Sequence, residues 1–349
     1  MIAFTCFDAA FQTAYADLAE RALTQSRLLL CSPGTIITQE KNGGSYLYWR
    51  VYDAEGQRRD HYIGSRDRVE TAGKLAEITA CIVEGRSFAE GSLMLRKQGY
   101  AAADNSAAIT LATLFNAGVF KQGAMLVGTH AFGALINSLG VRLSTRYFTE
   151  DIDIARYDRI ELAIRLEEGF IGLLKQSGLP FIEVPALDVR KPSTSFRVRG
   201  RKLTVDLLAP GDERYRSVPI AELGAYATGL PYLDYLFEEP VFTVVLGRDH
   251  VIPVRTPNAA RFCLHKLIVA TLRLTQMPQK AEKDLTQAAV LAAVLSEQFP
   301  GALDEAVQHI PPTALRRVAQ SAVRAQALLP ERYAAAHDFL TELAALQCN

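Results

Sequence analysis

A chain of 349 residues carries 38 Lys+Arg against 38 Asp+Glu, for a formal net charge of zero, and 49% of its residues are hydrophobic. That length and apolar content suit two or three ordinarily packed domains, and the balanced charge excludes a globally basic nucleic-acid coat or an acidic solvating tail. Cys6, Cys31, Cys81, Cys263 and Cys348 lie far apart, without a CxxC pair, which fits reduced thiols in a cytoplasmic protein better than a disulfide framework or a zinc site. No run approaches the about 18 uninterrupted apolar residues of a membrane span, so a soluble protein is expected.

The apolar residues Phe11, Tyr15, Leu18, Ala22 and Leu23 recur mostly at three- and four-residue spacings and predict an amphipathic helix within residues 9–30. From Ser45 to Gly64 two aromatic, β-branched runs flank Asp53-Ala54-Glu55-Gly56, which reads as a β-hairpin. Its tyrosines and Trp49, interleaved with Arg50, Arg58 and Arg59, either pack a small sheet on helices or offer a stacking and phosphate-contacting surface. Residues 66–98 read as one or two helices, and the small residues from Ala101 to Asn105 mark a boundary. A helix then runs to about Asn116, followed by the apolar segment Ala124 to Val127, an abrupt turn at Gly128-Thr129, and a second helix to Leu139 stopped by Gly140. The strand TEDIDIA, a helix over about 159–176, a β run over 181–189, and a hairpin of 195–199 with 202–208 about Gly200-Arg201 complete this region. Beyond Pro257 everything reads as helix: 261–273, ended by Pro278, then 280–298, 303–309, 312–328 and 331–346. Lys266 and Arg273, seven apart, share one stripe of the first of these helices. The expectation is an α+β fold: an N-terminal helix and hairpin region (1–104), a central mixed sheet (105–256) and an all-α C-terminal domain (257–349).

The chemistry concentrates in Thr149-Glu150-Asp151-Ile152-Asp153-Ile154-Ala155. Alternation along a strand places Asp151 and Asp153 on one face and the isoleucines in the core. Two adjacent carboxylates repel unless a cation lies between them, and their hard oxygens suit Mg²⁺ or Mn²⁺. Gly128-Thr129 at a strand-to-helix turn offers backbone N–H groups, a hydroxyl and a helix dipole to a phosphate, although such a turn is also an ordinary N-cap. Asp206, in Thr204-Val205-Asp206-Leu207-Leu208, is an acid between apolar neighbours and needs a partner that a shared metal would supply. Three carboxylates and a phosphate-binding turn make a two-metal phosphoryl-transfer site.

The stretch VGTHAFGALINSLGVRLSTRYFTEDIDI, with the later LTVDLL, resembles the polymerase-β-type nucleotidyltransferase superfamily. It is closest in feel to the prokaryotic nucleotidyltransferase-fold proteins that include abortive-infection and toxin-type transferases, and a third reading beside those below is the toxin half of a two-gene toxin-antitoxin defence system. Thr149, Asp151 and Asp153 match the TxDID strand of those relatives, Arg146 stands where their preceding Arg lies, and Thr129 replaces the commoner second Gly or Ser. FCLHKLIVATLR and Lys280-Ala-Glu-Lys283-Asp284-Leu are similar to the helices that follow the catalytic sheet. The resemblance implies Asp151, Asp153 and Asp206 as metal-holding catalytic acids, Gly128, Thr129, Arg146 and Thr149 at the nucleotide, and Lys266, with Lys280 or Lys283, as triphosphate contacts. It implies an Mg²⁺-dependent enzyme that moves a nucleoside monophosphate from an NTP to an acceptor hydroxyl on RNA, such as tRNA, or on protein. The alternative is a catalytically silent nucleic-acid-binding or regulatory module that kept the fold. Arg190, Lys191, Arg197, Arg199, Arg201 and Lys202, with no acid among them, form a basic hairpin suited to a polyanionic acceptor. His130 and His265 are read as structural.

Overall fold

The computed structural model describes residues 4–143, 151–157, 169–186, 192–211, 216–275 and 277–346. In chain order the N-terminal elements are β1 (Phe4–Cys6), α1 (Ala9–Leu23), β2 (Thr35–Lys41), β3 (Gly44–Tyr52), β4 (Arg58–Ser65) and α2 (Val69–Gln98). The central elements follow as α3 (Asn105–Asn116), β5 (Met125–Val127), α4 (Gly128–Ser138), β6 (Val141–Leu143), β7 (Asp151–Ala155), α5 (Gly169–Lys175), β8 (Phe181–Glu183), β9 (Ser195–Val198) and β10 (Thr204–Pro210). Next come β11 (Arg216–Ile220), β12 (Ala225–Leu230), β13 (Val241–Leu246) and β14 (Val251–Thr256). The chain closes with α6 (Ala259–Arg273), α7 (Pro278–Gln298), α8 (Ala302–Gln308), α9 (Pro312–Gln326) and α10 (Ala334–Ala345). The architecture is α+β, with a mixed sheet and a helical C-terminal part.

Local chemistry explains the boundaries. Asp104 accepts from the N–H groups of Ser106 and Ala107 and starts α3, as Asn258 accepts from Ala260 and starts α6. Gly140 follows α4 with φ +69°, a left-handed backbone that ends helices at little cost for glycine. The segment 66–98 holds a single helix, Val69–Gln98, and Pro278 is the first residue of α7, where its missing N–H is harmless. β2 adds a third strand to the predicted hairpin, joined to β3 through Asn42 and Gly43, both at positive φ. That dipeptide is a strong two-residue hairpin signal.

Among the described residues seven strands form the central sheet. β10 is its hub: β7 lies parallel along one edge, while the other edge is shared by antiparallel β9 at the start of β10 and parallel β12 at its end. β5 extends the sheet antiparallel to β7, β11 antiparallel to β12, and β8 antiparallel to β9. One apolar core runs from Phe4 through α3, the sheet and α6 to Leu343 in α10. A smaller cluster joins α1 and α2 to the β13–β14 hairpin, with Tyr100 stacked on Phe7 at 3.7 Å and near Tyr15 at 5.3 Å. Among the described residues no helix is long and apolar enough to cross a membrane.

Candidate active site

β7 buries Ile152 and Ile154 and leaves Asp151 and Asp153 on the opposite face. The parallel register sets Thr204 beside Asp151 and Asp206 beside Asp153, and the antiparallel register sets Ser195 beside Asp206. Residues paired across a sheet point to the same side, so all three acids share one surface with two hydroxyls. Thr204 Oγ1 donates to Asp151 Oδ1 at 2.7 Å, and Ser195 Oγ donates to Asp206 Oδ1.

Burial and the neighbouring charge of Asp206 push the Asp153 carboxyl up from 3.8 to about 6. Burial likewise raises Asp206; the Ser195 hydroxyl works against that rise and the Asp151 charge adds to it. Both acids are therefore short of positive charge on the sheet side.

Gly128 supplies the floor. Its φ is +71°, and a Cβ there would lie 1.9 Å from Asp153 Oδ2, so only glycine brings the start of α4 this close to the carboxylate. The ordinary N-cap interpretation of Gly128-Thr129 does not hold: the capping position is Val127, whose side chain makes no capping hydrogen bond. Among the described residues no side chain accepts from the first-turn N–H groups of α4, which lie beside the acids.

The fourth wall is helical. Lys266 and Arg273 of α6 lower the Asp153 pKa through their charge, the charges of Asp151 and Asp153 favour the Lys283 ammonium of α7, and Lys280 lowers the Asp206 pKa. Lys280 is exposed and Lys283 half-buried, its ammonium disfavoured by burial first and by Lys266 second. Lys266 departs from the implied triphosphate contact. It is buried, and its Nζ donates to Asp284 Oδ1 at 2.7 Å while Arg273 Nη1 donates to Asp284 Oδ2 at 2.6 Å. Burial works against the Asp284 charge, but these two cations hold its carboxyl below the usual range. Lys266 therefore reaches the acids through its field, with its hydrogen-bonding directed at Asp284.

Arg146 and Thr149, and Arg190 and Lys191 of the basic hairpin, lie outside the described residues. Arg197, Arg199, Arg201 and Lys202 are exposed, and Arg197 shares the face of Thr204 and Asp206. Arg201 is tied back to the fold by donating to Ser106 Oγ in α3. His130 is buried beside the turn, its pKa pushed down to about 4 by burial, and His265 is buried with its pKa pushed down to about 3 by burial, Lys266 and Arg273. Burial favours the neutral form of both imidazoles, and among the described residues the Nε2 of each has no hydrogen-bond partner.

Sequence reasoning missed Ser195, Arg273 and Asp284. Ser195 was findable: a hairpin centred on Gly200-Arg201 places residue 195 opposite residue 206. Asp284 was not, because its partners lie on another helix.

The donor chemistry of the acid face fits a hard divalent cation: oxygen ligands only, two of them on carboxyls that their burial makes reluctant to ionise alone. Asp151 and Asp206 are turned toward Thr204 and Ser195, and among the described residues no three His, Cys, Asp or Glu side chains already converge as a metal cage.

A nucleotidyltransferase family model matches residues 105–311, more than half of the 349-residue chain. The chain belongs to the nucleotidyltransferase family. The match runs from the first residue of α3 to beyond α8, so it takes in the acid-bearing strands, the Gly128 turn and the cations of α6 and α7. As a family member this nucleotidyltransferase is a transferase acting with a nucleoside triphosphate. Neither the curated proteins nor the solved structures give a match to it.

Proposed function

We propose that this nucleotidyltransferase moves a nucleoside monophosphate from an NTP to an acceptor hydroxyl, with RNA as the acceptor class, in a reaction dependent on Mg²⁺ or Mn²⁺. The observation that carries the reading is the register of β7 with β10, which pairs Asp153 with Asp206 on the face that Gly128 closes. Asp151, Asp153 and Asp206 would hold the metal ions, which when bound lower the pKa of an attacking hydroxyl and neutralise phosphate charge.

The remaining work falls to groups of this chain. Asp206, whose carboxyl is raised by burial, takes the proton of the acceptor hydroxyl as that oxygen attacks the α-phosphorus and pyrophosphate leaves. The Ser195 hydroxyl orients the Asp206 carboxylate, and Thr204 does the same for Asp151. The α4 N–H groups and Thr129, with Lys280 and Lys283 opposite, balance the charge of the triphosphate. The exposed Arg197, Arg199 and Lys202 on the hairpin leading into β10 offer phosphate contacts to a polyanionic acceptor.

Calorimetric titration with each of the four NTPs, with and without Mg²⁺, tests the proposal in the wild type and in Asp151→Ala/Asp153→Ala. Metal-dependent binding that vanishes in the double variant supports it. Binding of no NTP under any metal condition sinks it.

A further inference from the structure

The β2–β4 sheet turns one face to α2 and the other to solvent. Leu47, Val51 and Ile63 are buried on the α2 side, where Gly64 lies against Thr71. Alternation then sends Tyr46, Tyr48, Arg50 and Tyr52 of β3 outward, with Arg58, Asp60 and Tyr62 opposite them on β4 and Gln39 and Lys41 on β2. Tyr52 is 51% and Tyr62 59% exposed, and Tyr62 has Tyr48 at 5.4 Å and Tyr46 at 6.3 Å between ring centroids. Four tyrosines on a solvated sheet face contribute nothing to the core, which lies on the other side. The charges on this face are Lys41, Arg50 and Arg58 against Asp60 alone. Asp60 accepts both Nε and Nη2 of Arg50, at 2.8 and 2.9 Å, which leaves Lys41 and Arg58 as surplus positive charge.

This face also leads toward the candidate active site. Tyr52 and Arg58 pair at the end of the hairpin, and Asn105 Nδ2 donates to Ala54 O in its turn. The next residue, Ser106, accepts from Arg201 at the tip of the β9–β10 hairpin, which runs back to Ser195 and Asp206. The N-terminus of α3 therefore bridges the aromatic face and the basic hairpin that enters the acid-bearing strand.

We infer that the outer face of the β2–β4 sheet docks a single-stranded polynucleotide, its unpaired bases stacking on Tyr52 and Tyr62 and its phosphates meeting Lys41 and Arg58. Flat aromatic rings interleaved with cations bind unpaired bases with little sequence preference. As the place where the acceptor strand is held, this deepens the reading of the acceptor as RNA and rests on it.

The test is fluorescence anisotropy on the full chain with a labelled oligoribonucleotide of about 20 nucleotides, presented single-stranded and as a duplex. Tyr52→Ala/Tyr62→Ala should weaken single-strand binding by about tenfold or more, while Tyr52→Phe/Tyr62→Phe, which keeps the rings, should bind like the wild type. Lys41→Ala/Arg58→Ala should flatten the dependence of affinity on salt between about 50 and 200 mM. The inference is overturned if the wild type binds no single strand, if the alanine pair binds as tightly as the wild type, or if duplex is preferred. It also falls if the tyrosine pair instead governs self-association seen by sedimentation while RNA stays unbound. The same assay on Asp151→Ala/Asp153→Ala separates the two proposals: a failed catalytic reading leaves strand binding intact, and a failed sheet reading leaves Mg²⁺-dependent NTP binding intact.

Discussion

Replacing Gly128 by alanine adds one methyl group at the tightest point of the candidate site. The new Cβ would lie 1.9 Å from Asp153 Oδ2, 2.9 Å from its Cγ and 3.3 Å from its Cβ, whereas non-bonded carbon contacts settle at about 3.5 to 4.0 Å. β7 is held between β5 and β10, so the backbone of Asp153 cannot retreat and the carboxylate must swing away by roughly 1 Å or more. Residue 128 also keeps φ at +71°, which costs a residue with a Cβ about 1 to 2 kcal/mol. An off-rotamer Asp153 adds about 0.5 to 1.5 kcal/mol. The expected loss in urea denaturation is thus about 1.5 to 3.5 kcal/mol. The functional loss should be of similar size, because a displacement of about 1 Å at a reacting centre costs roughly a hundredfold in rate, about 2.7 kcal/mol. Mg²⁺-dependent NTP titration and nucleotidyl transfer, measured on protein shown folded by its denaturation curve, check both figures. A Gly128→Ala protein with wild-type stability and wild-type NTP affinity would refute the idea that this glycine exists to admit the carboxylate.

Further substitutions probe the charges around it. Asp153 holds a proton in the folded state up to a pH of about 6, against 3.8 for the free group, so between those values the folded chain binds more protons than the unfolded one. Stability therefore falls as pH rises through that window, by about 3 kcal/mol in all; Asp153→Asn should abolish this slope in metal-free buffer, be more stable than the wild type at pH 7, and lose activity. Ser195→Ala removes the hydroxyl that opposes the rise of the Asp206 pKa, so the acid limb of the pH–rate profile should move to higher pH; an unmoved limb would separate Asp206 from proton transfer. Asp284→Asn leaves Lys266 and Arg273 facing each other without their shared anion, at a cost of about 3 to 5 kcal/mol by denaturation. A double replacement of Lys266 and Asp284 by apolar residues of similar size should cost much less.

How much of this was legible in the sequence depends on the range of the interaction. The alternation in Asp151-Ile152-Asp153-Ile154, the stop at Gly140 and the five C-terminal helices are local patterns, and the structure shows them where residue spacing places them. The shared stripe of Lys266 and Arg273 was local too, and both side chains do meet one partner. That partner was not legible: Asp284 lies on a separate helix, α7, and its carboxylate is buried against α6. Strand pairing is equally remote. Nothing in the local pattern of β10 shows that it is the hub of the sheet, nor that β9 and β12 divide one of its edges. The missed β13–β14 hairpin has another cause: Pro253 sits inside β14 opposite Val244, and a proline ordinarily argues against a strand unless the strand lies at an edge. This hairpin forms a two-stranded sheet of its own, so both of its strands are edges.

The distribution of charge explains why metal and nucleotide should bind together on the proposed reading. Among the described residues, the sheet offers Asp151, Asp153 and Asp206, and the covering helices offer Lys266, Arg273, Lys280 and Lys283 with Asp284 between two of them. With every group ionised those charges cancel. A triphosphate arriving alone would add roughly four negative charges next to three carboxylates, two of them already reluctant to ionise, and would be repelled. Divalent cations arriving alone would meet four positive side chains. Two such cations together with a triphosphate restore the balance, and on the proposed reading Lys280 and Lys283 then face phosphate oxygens while the carboxylates face metal. Titrations should therefore show strong mutual dependence: Mg²⁺ without NTP and NTP without Mg²⁺ each bind weakly, and each raises the affinity for the other by the same factor, as linkage requires. Tight NTP binding in the presence of a chelator would place the nucleotide away from the acids of β7 and β10.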